Sequence, residues 1–593
     1  MLNEKKLTSD LCVIGGGLAG ICAAIAAARH GISVVLVHER PVLGGNASSE
    51  MRMWVCGARG RNNRETGIVE EIMLENLYRN PTKNFYIWDS ILLDFVQREK
   101  NITLLMNTTC MDASSEKGEF AHGRTTRINS VKAYQMTTQT FFTVEASYFA
   151  DCSGDSILAP LTGAEFMWGR EAAEEYGEDT HVTERDSMVM GMSCLIQGRE
   201  TNRKVRFTPS EFVTTPTDED VKNRPMDLYD PTENFWYLEL GGTEDTIADT
   251  EKIKDRLIPL ALGTWDYLKN SGKYRSDNWD LEFLGFLPAK RESRRMKGEY
   301  VISQRDISDN TVFPDTVAFG GWPLDDHYPA GYYHKGTPNT DFQTPAPYCL
   351  PYRALYSANV ENLFFAGRNI SMTHTAMSSV RVMATCGLLG QAIGTAAAIA
   401  TRNHLTPHGV YLQQLQTLQQ TLMDDDCFLP HFTRRISESC KSSAIQNGAA
   451  ELKNGQDRAN RIYETEKSGV LIQNGTAVEY RFASASAVNS IHLVFDSDLN
   501  RDTLPGGQCE RTHVTRANVL LDSPQMYMPK TLCKAFRLCV VTPNGETEVL
   551  HIESNRKRAY HVTLSEPILA IRLTMTENWG GTDQTNLLSF DFN

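Results

Sequence analysis

The 593-residue chain has no C-x-x-C pair; its thirteen cysteines, among them Cys56, Cys152 and Cys386, are scattered. This excludes a sequence-adjacent redox disulfide, a c-type haem attachment and the usual iron–sulfur runs, and it points to buried free thiols in a reducing compartment. No His, Cys or carboxylate run has ligand spacing, so no metal is expected. No stretch offers the roughly 20 apolar residues that span a bilayer. A basic excess is also missing: the net charge of −14 argues against a broad nucleic-acid-binding surface. The first ten residues, MLNEKKLTSD, hold no apolar h-region, so no secretory signal is expected and the cytoplasm is the expected compartment. A chain of this length exceeds one hydrophobic core, which predicts two or more domains.

What is present begins at residues 9–40, SDLCVIGGGLAGICAAIAAARHGISVVLVHER. A short apolar run, Leu11 to Ile14, precedes Gly15, Gly17 and Gly20, and an alanine-rich helix follows. A second apolar run, Val34 to Val37, ends at Glu39. Gly15 permits the tight strand-to-helix turn, Gly17 admits a pyrophosphate to the backbone, and Gly20 lets helix and strand pack closely. The helix N-terminus offers free N–H groups to phosphate, and Glu39 stands where a carboxylate accepts from a ribose hydroxyl. The unit is a dinucleotide-binding βαβ.

A second glycine pair, Leu43-Gly44-Gly45-Asn46, follows Glu39-Arg40 closely. A nicotinamide-binding unit does not need it. A flavin site does, because bare backbone must run along the pyrophosphate and ribityl chain. Further on, a strand-like start leads into Ala150-Asp151-Cys152-Ser153-Gly154-Asp155, and Leu363 to Ala366 leads into Gly367-Arg368. With the stretches Arg291 to Arg295, Gly298-Glu299-Tyr300 and Trp322 to His327, these motifs resemble the FAD-dependent oxidoreductases related to glutathione-reductase and fumarate-reductase-like flavoproteins. The resemblance spans roughly the first 430 residues. It implies FAD held by Gly15, Gly17, Gly20, Glu39, Arg40, Gly45, Asn46, Gly154, Asp155, Gly367 and Arg368. It also implies an adenine contact from the backbone around Cys110, whose alternative reading is a core thiol. Arg381 precedes a small-residue helix, Val382 to Ala398, whose first turn (Met383, Ala384) would face the flavin pyrimidine ring and stabilise negative charge there.

The expected fold is α/β: a Rossmann-like FAD-binding domain with an inserted substrate or cap domain, then an all-β sandwich. The boundaries are 1–165 and 351–430 for the FAD domain, 166–350 for the cap and 431–593 for the sandwich. Helices are expected over Gly67 to Tyr78, Asp89 to Glu99 with Asp89 as N-cap, and Tyr411 to Met423 with Leu412, Leu415, Leu418 and Leu422 on one face. The tail alternates apolar and polar residues in short runs, with Pro543-Asn544-Gly545 as a hairpin turn. It resembles discoidin-like, galactose-binding-like jelly rolls. A structural appendage is the favoured reading and glycan contact the alternative.

For chemistry, Arg291, Arg294 and Arg295 cluster beside Glu292. They suit either carboxylate recognition or an internal ion network. His327 and His374 are the acid/base candidates, and each has a plain structural alternative. The catalytic set is therefore His374, His327, Arg294 and Arg295. The expected function is hydride transfer between flavin and a small polar substrate, sugar-derived or carboxylated. The alternatives are reduction of an activated C=C bond and a carbohydrate-targeted protein. A single G-x-G-x-x-G unit leaves no second Rossmann domain for NADPH, so the electron partner is expected to be a quinone-like acceptor, oxygen, a partner protein or a second substrate.

Overall fold

The computed structural model describes residues 2–230, 233–459, 469–501, 515 and 517–593. The chain forms two compact units. The first holds residues 1–58, 82–415 and 512–525, and the second holds 59–81, 416–511 and 526–593.

In the first unit, β1 (Asn3–Ile14), β2 (Val34–Val37), β3 (Ile102–Leu105), β4 (Thr108–Lys117), β5 (Thr126–Gln135), β6 (Thr140–Asp151) and β7 (Leu363–Phe365) make one sheet. Its order is β3-β2-β1-β6-β5-β4, with β7 also on β6. β1 is longer than its apolar stretch because it pairs along β6 from Asn3↔Thr140 to Ile14↔Asp151. The first half of β6 forms an antiparallel hairpin with β5, while its second half runs parallel to β7. The parallel strands β1, β2, β6 and β7 therefore end on one edge, with Ile14 in register with Val37 and Asp151, and Phe365 with Asp151. Ligands of open α/β sheets bind at this carboxyl edge.

Helix α1 (Leu18–Arg29) packs on α2 (Met383–Asn403). The small residues explain how closely. A Cβ at Gly390 would stand 2.0 Å from the Ala19 carbonyl oxygen, and one at Gly394 would stand 2.2 Å from that of Ala23. The two helices meet backbone to backbone, one turn apart at two points. Against the sequence expectation, α2 is, among the described residues, the one helix long and apolar enough (mean hydropathy 1.4) to cross a bilayer, yet 94% of that stretch is buried in the protein. The helix expected from Asp89 is Phe85–Gln97 instead. Asn84 is the N-cap, its side chain accepting from the Tyr86 N–H at 2.8 Å, while Asp89 lies mid-helix and accepts from the Ser49 N–H.

A separate core within this unit is built around the helix Thr250–Asn270, with Trp265 and Trp279 buried. Short strands Met192–Ser193, Glu239–Leu240 and Ala289–Lys290 pair there. They bring Glu239, Lys290 and Arg291 to neighbouring positions.

The second unit has a five-stranded sheet (Ile445–Gln446, Ala477–Ser486, Ile568–Asn578, Cys533–Thr542, Gly545–Ile552 in spatial order) and a four-stranded one (Val470–Gln473, Gln584–Phe592, Ser490–Phe495, Ala559–Thr563). All pairings are antiparallel, and Pro543-Asn544 turns the Cys533–Thr542 and Gly545–Ile552 hairpin. Val478, Tyr480, Leu538 and Leu573 from one sheet share a core with Ile491, Leu493, Leu587 and Phe590 from the other. The helix Ile68–Arg79 contributes Leu74 and Leu77 to that core, although it lies in sequence among the cofactor-binding segments. Of the leucines assigned to one helical face, Leu418 and Leu422 are buried, but Leu412 is 53% exposed.

Candidate functional site

At the carboxyl edge Gly15 leaves β1 with φ +104°, and a Cβ there would lie 2.3 Å from the Cys152 carbonyl oxygen. Gly20 is equally constrained, its missing Cβ falling 1.8 Å from the Gly15 oxygen. Gly17 differs. It is the N-cap of α1, has no capping side chain, and an added Cβ would meet nothing within 4 Å. There is open space in front of the free N–H groups of α1. Gly44 donates its N–H to the Gly16 oxygen at 2.8 Å, and Gly45 approaches so closely that its Cβ would lie 3.2 Å from the Gly17 Cα. The two glycine motifs form one backbone surface.

Charged groups surround it sparingly. The Glu39 carboxylate follows β2, exposed, with the Arg40 guanidinium 3.6 Å away. Asn46 donates through Nδ2 to the Lys290 oxygen at 3.0 Å. Lys290 in turn donates to Asp155 at 2.8 Å, and Arg368 reaches the same carboxylate at 2.7 Å. Ser293 donates to it as well, at 2.8 Å. Burial alone would raise the Asp155 pKa, but Arg368 and Lys290 outweigh it and hold the carboxyl well below its usual range. Arg368 also donates to the Gly154 oxygen, so the turns after β6 and β7 are tied together. Gly367 there has φ +120°, a conformation suited to glycine. Cys110 sits in β4 opposite Ala133; burial pushes its thiol up to about 12, so it is an uncharged core group whose backbone alone is open to a ligand role. At the start of α2, Met383 is the first helical residue, and Ala384 donates its N–H to the Cys56 oxygen at 3.0 Å. That donor is already engaged by the protein.

A model of the family described as FAD dependent oxidoreductase matches residues 10–422. The chain belongs to that family. It is a flavoenzyme, and FAD is its cofactor. No curated protein matches the sequence. Among solved structures the chain is similar to the myxobacterial chondrochloren halogenase CndH, at 12% identity over 71% of this chain and 80% of the other, with a TM-score of 0.33. It is similar to a geranylgeranyl bacteriochlorophyll reductase-like protein from Thermoplasma acidophilum, at 9% identity over 71% and 86%, with a TM-score of 0.30. A further similarity is to the family 32 carbohydrate-binding module of Streptococcus pneumoniae EndoD, at 13% identity over 25% and 85%, with a TM-score of 0.17.

The residues present fit FAD. The cradle at Gly17 is open where a phosphate needs peptide N–H groups. Two buried polar atoms, Asn369 Oδ1 and Arg381 Nε, have no partner within the protein and suit the polar rim of a cofactor.

Beside this edge lies a network made almost entirely of charge. His374 begins the helix His374–Val380, where Thr373 is the N-cap. Its Nδ1 is 2.8 Å from Glu292 and its Nε2 is 3.1 Å from Asp326, while its backbone N–H donates to Glu171 at 2.9 Å. Burial disfavours the charged ring, but Glu292 and Asp326 overcome this and raise its pKa to about 10. His374 is thus an imidazolium at neutral pH. Glu292 is fully buried, whereas the Asp326 side chain is 34% exposed.

His327 has a parallel arrangement. Nδ1 lies 2.6 Å from Glu239 and Nε2 3.5 Å from Asp325. Burial raises the Glu239 pKa, and Arg291 with His327 reverses that to about 2. Asp325 accepts from Arg381 at 3.0 Å. The adjacent residues Asp325 and Asp326 thereby link the two histidines.

The three arginines of the cluster separate in space. Arg295 is completely buried and donates to Glu292, to Glu171 at 2.7 Å, and to the carbonyls of Met372 and Gly169. Arg291 is held by Ser193, the Trp236 oxygen and Glu239. Arg294 is half-buried, 3.3 Å from the Asp155 oxygen and 5.7 Å from the Phe166 ring centroid, and so lies with the cofactor-edge cluster. Sequence reasoning passed over His38, Lys290, Glu239 and Asp326. No local spacing marks Glu239, 88 residues from His327, though His38 stands directly beside the acid that was read.

Proposed function

We propose that this flavoenzyme transfers hydride between FAD and a small polar substrate, and that the His374–Asp326 pair handles the accompanying proton. The observation that carries this reading is the clamping of His374 between one buried carboxylate, Glu292, and one solvent-reaching carboxylate, Asp326. When bound, FAD supplies the two-electron carrier. When a carbonyl carbon gains hydride its oxygen takes up a proton; His374 holds one at Nε2, beside the solvent-reaching Asp326 that would pass it on. In the opposite direction the substrate hydroxyl gives its proton to Asp326, which passes it to Nε2 of a neutral His374 and is left ionised beside the imidazolium so formed. Glu292 and Arg295 keep the ring oriented. Anaerobic bleaching of the bound flavin across a panel of alcohols, sugars and hydroxy acids tests the reading. A substrate that bleaches wild-type flavin should do so far more slowly in Asp326→Asn, and equal rates would remove the pair from the mechanism.

A second reading is reduction of an activated C=C bond, in keeping with the fumarate-reductase-like resemblance. Arg294 favours it, since its guanidinium makes one long hydrogen bond and so keeps donors for a substrate carboxylate. Reoxidation of reduced enzyme by unsaturated acids, with none by ketones or quinones, selects this reading. The electron partner proposed is not NAD(P)H, and fast stoichiometric reduction by NADH or NADPH alone would overturn that. For the second unit we propose a discoidin-like sandwich with a structural role, supported by its two antiparallel sheets around one core; glycan binding by the full chain on an array would argue otherwise. A reducing, cytoplasmic setting agrees with the free thiols of the described cysteines.

A further inference from the structure

His38 follows β2 directly and is 4% exposed. Its backbone is fixed on both sides, the N–H donating to the Leu105 oxygen and the oxygen accepting from Thr108, each at 2.8 Å. The ring then reaches across to the first glycine motif. The Gly16 N–H points at Nδ1 from 3.0 Å, and Nε2 lies 2.8 Å from the Val42 oxygen. A peptide N–H can only donate and a carbonyl can only accept. Nδ1 must therefore be bare and Nε2 must carry the proton, so the two partners select the neutral Nε2–H tautomer. Gly16 closes the circuit by accepting from the Gly44 N–H at 2.8 Å. The middle glycine is thus tied to the loop that carries the second glycine pair directly through its carbonyl and, by way of the His38 ring, through its N–H. No Cβ fits at Gly16, because it would lie 2.6 Å from Leu43 Cδ2 and 2.8 Å from the His38 ring.

We propose that His38, as a neutral cross-brace between the Gly15–Gly17 turn and the Val42–Gly45 loop, is a positioning residue for FAD binding. It does not touch the reacting atoms. It holds the Gly17 opening and the Gly45 backbone in the arrangement that receives the cofactor. A protonated ring breaks the brace, since Nδ1–H would face the Gly16 N–H. Burial lowers the His38 pKa to about 4, the Val42 carbonyl opposes this, and Arg40 lowers it further. Arg40 is the charged group acting on the ring; Gly16, Val42, Leu43, Leu105 and Thr108 present peptide or uncharged groups. The brace therefore holds at neutral pH and fails as the pH falls towards about 4.

FAD affinity of the apo-protein, read from quenching of flavin fluorescence, tests this. The titrations run from pH 8 down to 3.5 on wild type, His38→Gln and His38→Leu, with circular dichroism monitoring the fold. At pH 7 His38→Leu should bind FAD about tenfold or more weakly, as a buried donor and acceptor lose their partners. His38→Gln, whose amide can accept from Gly16 and donate to Val42, should recover most of that affinity and should not share the acid-side loss seen in wild type. Wild-type affinity in His38→Leu, or the same acid-side profile in wild type and His38→Gln, overturns the proposal. Should His38→Leu fail to fold, the comparison of wild type with His38→Gln still decides it.

Discussion

The glycine edge and the histidine–carboxylate network are neighbours in one unit, yet they are made of different materials. The edge works mainly with peptide groups, missing Cβ atoms and one neutral imidazole, with Glu39 and the Asp155–Arg368–Lys290 cluster at its rim. The network works with full charges withdrawn from water: Arg295–Glu292–His374–Asp326 and Arg291–Glu239–His327–Asp325–Arg381. At Gly15, Gly16 and Gly20 the first leaves no room for added volume. The second does not tolerate the removal of one partner, because the remaining charge is left buried and uncompensated. A polyanionic cofactor calls for the former; proton movement calls for the latter.

The strongest test of this contrast is Arg295→Ala, which strands Glu292 and Glu171 in the interior. Urea unfolding should show a loss of about 3–5 kcal/mol. A loss below about 1 kcal/mol would mean that the network does little to hold the fold. Next in size, His374→Ala should slow turnover by about a hundredfold or more while leaving FAD affinity intact. Unchanged turnover would pass the proton to His327. The same residue gives a pH signature. Its folded pKa, about 10, lies above the ordinary 6.5, so its contribution to stability is complete below pH 6.5 and is lost as the pH rises through 10. Thermal melts across that window should fall more steeply for wild type than for His374→Gln.

On the edge, Glu39→Ala should weaken FAD by roughly 1.5–3 kcal/mol, ten- to a hundredfold, with stability hardly changed. An unaltered dissociation constant would displace the ribose from Glu39. The smallest expected effect is that of Asn84→Ala, which removes one helix cap and should cost about 1 kcal/mol of stability without touching turnover.

These two regions also differ in how legible they are in the sequence. The glycine motifs declare themselves by spacing along the chain, although most of what crowds them is distant: Cys152 at Gly15, Leu92 at Gly44 and Gly17 at Gly45, while Gly20 is pressed by a near neighbour, the Gly15 oxygen. The network has no such spacing. Glu292 and Asp326 lie 82 and 48 residues from His374, and nothing along the chain couples them. Both histidines and the arginines could be singled out by residue type, but the protonated state of His374 depends on neighbours that only folding supplies. Local signals also misled where two residues competed for one role. Asp89 has the residue type of a helix start, but Asn84, five residues earlier, stands at the helix end and accepts there from the Tyr86 N–H. In HER, the carboxylate of Glu39 drew attention away from His38, whose role rests on a ring spanning to Gly16.

The backbone-to-backbone seam between α1 and α2 sets the order of events during synthesis. α1 leaves the ribosome early, with Leu18 to Ala28 all destined for burial. The surface that accepts Ala19 and Ala23 is carried by Gly390 and Gly394, near the end of the family-matching region. At ordinary elongation speeds that partner arrives on the order of a minute or less after α1. Until then the nascent cofactor domain has an unpaired apolar helix and a sheet lacking β7. Any chain interrupted before Asn403 is thereby left with that apolar face uncovered, and the cofactor edge can close only after about two-thirds of the 593 residues have been made.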